Sequence, residues 1–143
     1  MDSPAPPTRP HPPPHTRNSG GLARLSILAV DDSRTILEMI HITLATAGFD
    51  VHLAEDGQHG MSMLDQARPD AIITDINMPN MDGFEFITAV RARPGFERLP
   101  ILVLTSESAQ DLRRRARLAG ATGWIVKPFQ PRKLIKALRM VAG

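Results

Sequence analysis

From Ser26 onward, short apolar runs alternate with segments whose apolar residues recur every three or four positions. The runs cover residues 26–30, 50–54, 71–74, 101–104 and 124–126. Most are continuously apolar and do not alternate, which predicts strands covered on both faces by helices. Between them, Ile36, Ile40, Leu44 and Ala47 form one helical stripe, and Gly48 is placed to end that helix in a left-handed cap. Ala109, Leu112, Ala116 and Ala119 form another stripe before Gly120, in a helix predicted over 107–119. Leu134, Ile135, Leu138 and Val141 follow Pro131, a residue suited to a first helical position. Helices near 58–67 and 84–93 complete a fivefold βα alternation.

That alternation predicts an α/β fold with a parallel sheet. Right-handed crossovers leave few topologies, and the commonest small one is the flavodoxin-like (βα)5 arrangement, a doubly wound sheet with strand order 2-1-3-4-5. Ligands in such sheets bind beyond the carboxyl ends of the strands, where the order reverses between the first and third. The residues that follow strands 1 and 3 therefore carry the most weight.

Strand 1 ends in Asp31-Asp32 and strand 3 in Asp75, so three carboxylates distant in sequence should converge. One reading makes each a helix cap or a loop acid. The other notes that adjacent anions repel unless a cation intervenes, and that an all-oxygen set near water suits Mg²⁺ better than zinc. Thr105, after strand 4, offers a hydroxyl donor, and Lys127, after strand 5, a compact cation. A carboxylate nucleophile, a divalent cation, a hydroxyl and an ammonium on one rim describe phosphoryl transfer to a carboxylate.

Composition mainly excludes. At 143 residues the chain fits one domain. With no cysteine it has no disulfide, thiolate metal site or cysteine nucleophile, which favours a reducing, cytoplasmic setting. No segment approaches a membrane span. The sequence pI of about 9.7 reflects arginine in place of lysine, since the formal net charge is only +2, too little to argue for nucleic acid. Seven of the first fourteen residues are proline. Residues 1–22 are therefore expected to be a disordered proline-rich tail, a docking peptide or an over-extended start, with the folded domain spanning 23–143. Arg113, Arg114, Arg115 and Arg117 fan around a full helical turn and cannot all face a core.

The motifs DD at 31–32, DINMPNMDG at 75–83, Thr105 and GWIVKPF at 123–129 together resemble those of response-regulator receiver domains. The stretch LAGATGWIVKPFQPRKL at 118–134 is most similar to the single-domain chemotaxis, or CheY-like, branch. The resemblance implies that Asp75 is the phosphoacceptor and that Asp32, Asp75 and the main-chain carbonyl of Asn77 ligate Mg²⁺, with Asp31 acting through water. It makes Thr105 and Lys127 the holders of the phosphoryl oxygens, Asn77 and Glu107 the tuners of hydrolysis, and Lys127-Pro128 a cis peptide. Thr105 and Trp124 would be the switch pair, Trp124 standing where most receivers carry Tyr or Phe. Gly83 would sit in a loop that calls for positive φ.

The implied function is a monomeric, cytoplasmic phospho-switch, not an ordinary enzyme, whose output face comprises the fourth helix, fifth strand and fifth helix. Its implied partners are a CheA-like histidine kinase and a FliM-like flagellar motor switch protein, with no nucleic acid or membrane. A phosphorelay, kinase-adaptor or phosphate-sink role is the alternative output. A haloacid-dehalogenase-like phosphohydrolase is the competing chemistry, but it requires Asp-x-Asp-x-Thr, and this chain has Asp31-Asp32-Ser33-Arg34-Thr35.

Overall fold

The structure is a computed structural model and describes residues 24–143; the proline-rich segment expected as a tail lies outside the described residues. Five strands and five helices alternate: β1 Ser26–Val30, α1 Arg34–Thr46, β2 Asp50–Ala54, α2 Gly57–Ala67, β3 Ala71–Thr74, α3 Gly83–Ala92, β4 Ile101–Thr105, α4 Gln110–Ala119, β5 Gly123–Val126 and α5 Pro131–Ala142. The strands form one sheet of order β2-β1-β3-β4-β5, parallel throughout, as expected. β1 and β3 pair from Ile27↔Ala71 to Val30↔Thr74, so their carboxyl ends finish side by side.

Two apolar layers sandwich the sheet. Leu28, Val30, Ile72, Ile101 and Val103 face α2, α3 and α4, where Leu64, Phe86, Ile87 and Val90 are buried. Ile27, Ala29, Ile73, Leu102 and Leu104 face α1 and α5, where Leu37, Ile40, Leu44, Leu134 and Leu138 are buried. The inner strands β1, β3 and β4 are almost wholly buried, which accounts for their unbroken apolar runs. β2 and β5 lie at the edges and are only partly covered, so the expectation of two covered faces does not extend to them.

Local chemistry sets the helix ends. Ser33, Asp56 and Asp82 are N-caps whose side chains accept from the backbone N–H three residues on. Asp82 and Glu85 complete a capping box, with reciprocal bonds of 2.8 and 2.9 Å. Gly48 and Gly120 adopt positive φ after α1 and α4, as their positions predicted. α4 begins at Gln110, so the predicted start at 107 is too early. Ala109 is the exposed N-cap outside the stripe, and Ala116 is the one buried residue of α4.

Gly83 corrects the reading of its loop. Its φ is not among the positive ones. What requires glycine is close approach: a Cβ there would collide with the Asp75 carbonyl oxygen and stand 2.7 Å from Ile76 Cα. Both obstacles are backbone and cannot rotate away. Gly83→Ala is therefore expected to cost about 2–3 kcal/mol, measured as a lower urea midpoint at unchanged m-value. An unshifted midpoint would show that the loop yields freely.

Candidate functional site

The sheet's hydrogen bonding continues past the strands and delivers three side chains to its carboxyl rim. Asp31 N–H donates to Ala54 O at 3.1 Å and Asp75 N–H to Val30 O at 3.0 Å, which holds the residues after β1 and β3 in register. Lys127 N–H donates to Thr105 O at 2.8 Å and does the same for β4 and β5. The sequence placed these residues at strand ends, and the parallel pairing makes them neighbours.

Asp31 is 2% exposed and Asp75 8%. In each carboxylate the backbone holds one oxygen. Ser33 N–H donates to Asp31 Oδ1 at 2.9 Å, and Ile76 N–H to Asp75 Oδ1 at 2.7 Å. The remaining oxygens both meet Lys127, whose Nζ lies 2.8 Å from Asp31 Oδ2 and 3.3 Å from Asp75 Oδ2. One ammonium is thus shared between two buried carboxylates, and one negative charge is left for a further cation. Ser33 and Ile76, which contribute through their N–H groups, were not foreseen as site residues. Only the Ser33 cap had a signal in the sequence, because a main-chain donor leaves no trace in residue type.

Asp32 is exposed and completes the acidic set: one oxygen from each of Asp31, Asp32 and Asp75 lies within 4.8 Å of the others. The donors are all oxygen, two buried and one open to solvent, which suits a hard cation that keeps part of its hydration shell. These residues fit Mg²⁺. Asn77 is exposed beside them, and its amide donates to Glu107 Oε2 at 3.3 Å, tying the loop after β3 to the loop after β4. Thr105 is fully buried, and its Oγ1 accepts from Glu107 N–H at 3.4 Å. The Lys127-Pro128 peptide is cis.

Trp124 is half-buried on the α4 side of β5, and its indole N–H is buried without a hydrogen-bond partner among the described residues. Arg91 is a further residue the sequence did not mark. Its guanidinium donates to Gly120 O at 2.7 and 3.1 Å and to Phe96 O at 3.0 Å, pinning the end of α4 to the loop after α3. Burial lowers its pKa.

Burial raises the Asp31 pKa, and the hydrogen bond from Lys127 offsets part of that rise. For Lys127 burial pulls the pKa down, but the hydrogen bond and charge of Asp31, with those of Asp75, outweigh it and leave the pKa raised. A raised folded-state pKa means that the lysine's stabilisation is complete below its unfolded value and is lost as pH rises through the folded one. The metal-free protein should therefore lose stability at alkaline pH. Lys127→Met, which strands two buried anions, should cost about 1–3 kcal/mol at neutral pH. Denaturant titration checks both, and Asp31→Asn in the Lys127→Met background should restore part of the loss. Full additivity of the two changes would dissolve the claimed pairing.

Comparison with known proteins agrees with this geometry. A family model described as the response regulator receiver domain matches residues 27–139. The chain is similar to the solved structure of the chemotaxis protein CheY4 of Vibrio cholerae, with a TM-score of 0.80 and 45% identity, covering 83% of this chain and 99% of that one. It is also similar to the receiver domain of the sensor histidine kinase PA1611 of Pseudomonas aeruginosa, solved with a magnesium ion in its active-site cleft, with a TM-score of 0.78 and 30% identity over 85% and 99% of the two chains. The chemotaxis protein CheY1 of Helicobacter pylori is 39% identical over 121 residues, 83% of this chain and 98% of its own length. Against Response regulator MprA of Mycobacterium leprae the identity is 37% over 115 residues, 80% of this chain, and the chain spans about half the length of that relative. Since the matched residues carry all five strands and the acidic rim, the chain belongs to the family of response regulator receiver domains.

Proposed function

We propose that the protein is a CheY-like phospho-switch in which Asp75 accepts a phosphoryl group from a histidine kinase. The observation that carries this reading is the double contact of Lys127 with Asp31 and Asp75 beside the exposed Asp32. The carboxylates of Asp32 and Asp75 and the main-chain carbonyl of Asn77 would hold Mg²⁺, with Asp31 acting through water. The ion would supply neutralisation of phosphoryl charge.

The chain's own residues carry the rest. A carboxylate oxygen of Asp75 attacks phosphorus in line, a new O–P bond forms, and the bond from phosphorus to the donor's histidine nitrogen breaks with its electron pair leaving on that nitrogen. Lys127 moves from its contact with Asp75 to the phosphoryl oxygens, and the Thr105 hydroxyl donates to another of them. The product is an acyl phosphate on Asp75, whose hydrolysis is tuned by Asn77 and Glu107. In this sense the domain promotes its own phosphorylation and dephosphorylation without acting on an external substrate.

Withdrawal of Thr105 toward the phosphate frees space that Trp124 enters, which alters the face formed by α4, β5 and α5. The likeness to CheY1 and CheY4 supports a chemotaxis output. On this reading a CheA-like kinase supplies the phosphoryl group, and the activated protein, a cytoplasmic monomer, binds a FliM-like motor switch protein. The likeness to the receiver domain of a sensor kinase supports a second reading, a phosphorelay or phosphate-sink role. The face then meets a histidine phosphotransfer domain.

Incubation with acetyl phosphate and Mg²⁺ should add one phosphoryl group to the wild-type protein by intact mass, and none to Asp75→Asn or to the wild type in EDTA. A phosphorylated Asp75→Asn protein would remove Asp75 from its role. Trp124 is the only tryptophan, so its emission should change when Mg²⁺ and beryllofluoride are added together, and the change should be absent in Asp75→Asn. An emission change of equal size in that variant would uncouple the ring from the acidic site.

A further inference from the structure

Among the helices, α4 is the least firmly seated. Ala116 is its one buried residue, its four arginines are exposed, and its N-cap Ala109 offers no side-chain acceptor to the first turn. α1, α2 and α3 each bury three residues or more. A short helix that buries so little apolar surface depends on its neighbours. The element that α4 packs against most is α3.

α3 holds α4 at two points. Near the start of α3, the Arg115 guanidinium lies over the Phe84 ring, 4.1 Å from its centroid. At the end of α3, Arg91 donates from Nε and Nη2 to Gly120 O and from Nη1 to Phe96 O. No carboxylate pairs with Arg91 among the described residues, so its charge serves carbonyl oxygens alone. Gly120 makes this contact possible. It ends α4 with a φ of +118°, and a Cβ there would stand 2.8 Å from Arg91 Nε and 2.9 Å from Arg91 Cγ. A guanidinium beyond the last turn also complements the dipole of α4.

α3 is itself fastened to the acidic site. Gly83 N–H donates to Ile76 O at 2.8 Å, one residue beyond Asp75, and the Asp82–Glu85 capping box fixes the first turn. Phe84, Phe86, Ile87 and Val90 are buried and seat the helix on the sheet. α3 therefore starts at the Asp75 loop and grips α4 from both of its own ends. The arrangement is the resting one, because Lys127 Nζ lies 3.3 Å from Asp75 Oδ2, a contact that phosphorylation of Asp75 would break.

We propose that α3 braces α4 in its resting position through Arg91 and Arg115, and that this brace sets how readily the switch engages. The inference rests on the proposed phospho-switch. Arg91 is a positioning residue: it lies in the last turn of α3, away from the acidic rim, and acts on Trp124 through Gly120 and the short loop that leads to β5 at Gly123. Contacts made in the resting arrangement and lost in the switched one bias the equilibrium toward rest, so a weakened brace lowers the activator concentration required.

The test titrates the full chain with beryllofluoride at fixed Mg²⁺ and reads half-saturation from Trp124 emission. Arg91→Met should lower the half-saturating concentration by about threefold or more. Arg91→Lys, which keeps the charge but cannot bridge Gly120 and Phe96, should fall between Arg91→Met and the wild type. Arg115→Ala alters an exposed side chain, should lower half-saturation by about twofold or more, and carries the test if Arg91→Met does not fold. Ile40→Val, in the opposite layer, lowers stability without touching α3 or α4 and should leave half-saturation unchanged. Amide exchange along α4 without beryllofluoride should quicken by about threefold or more in Arg91→Met, while exchange along α1 stays the same. The inference is overturned if half-saturation is unmoved or raised in the folded brace variants, if Ile40→Val lowers it equally, or if α4 exchange does not change. A wild-type protein without an emission response defeats the phospho-switch, whereas a wild-type response with unmoved half-saturation in the variants defeats the brace alone.

Discussion

Two carboxylates buried at the seam of a parallel sheet must be reconciled with each other, and in this protein a single ammonium does so. Asp31 and Asp75 each turn one oxygen to a backbone N–H and the other to Lys127. Removing either anion leaves one carboxylate paired with one ammonium, while removing the lysine leaves two like charges in a poorly hydrated site. The surrounding fold serves this balance. Thr105 is buried behind the site, and Gly83 lets the loop after β3 close onto the Asp75 backbone.

On the proposed phospho-switch reading, the same arrangement makes the site responsive. Removing one partner of a buried ion pair is costly because it leaves an uncompensated buried charge. On the proposed reading, Asp32 and Asp75 would hold a divalent cation that supplies positive charge, and Lys127 would meet the phosphoryl oxygens. The loops around the site are tied together lightly, by the 3.3 Å bond between Asn77 and Glu107 and the 3.4 Å contact of Glu107 with Thr105, so rearrangement there disturbs little of the core.

Charge is also distributed across the molecule. The acidic rim lies within the carboxylate-rich part of the chain, and the edge built from α4, β5 and α5 is strongly basic. Lys127 belongs in sequence to the basic part and in space to the acidic rim. It links the chemistry of one region to the surface of the other. The indole N–H of Trp124, on the α4 side of β5, is buried without a hydrogen-bond partner among the described residues.

The sequence alone determined the five strands, the five helices, their order and the identity of the rim residues, because continuous apolar runs and helical stripes follow from burial on a parallel sheet. It also marked Gly48 and Pro131 at positions that suit their local backbone. It did not reveal that β2 and β5 would be half-open edges, since an apolar run reads alike at the centre and the edge of a sheet. It attributed Gly83 to backbone dihedrals, whereas the need for glycine comes from a neighbouring strand end that only folding brings near. The N–H groups of Ser33 and Ile76, the hold of Arg91 on α4 and the sharing of Lys127 between two aspartates likewise depend on distances between residues far apart in the chain. Those distances are set by strand pairing and packing, which residue spacing does not encode.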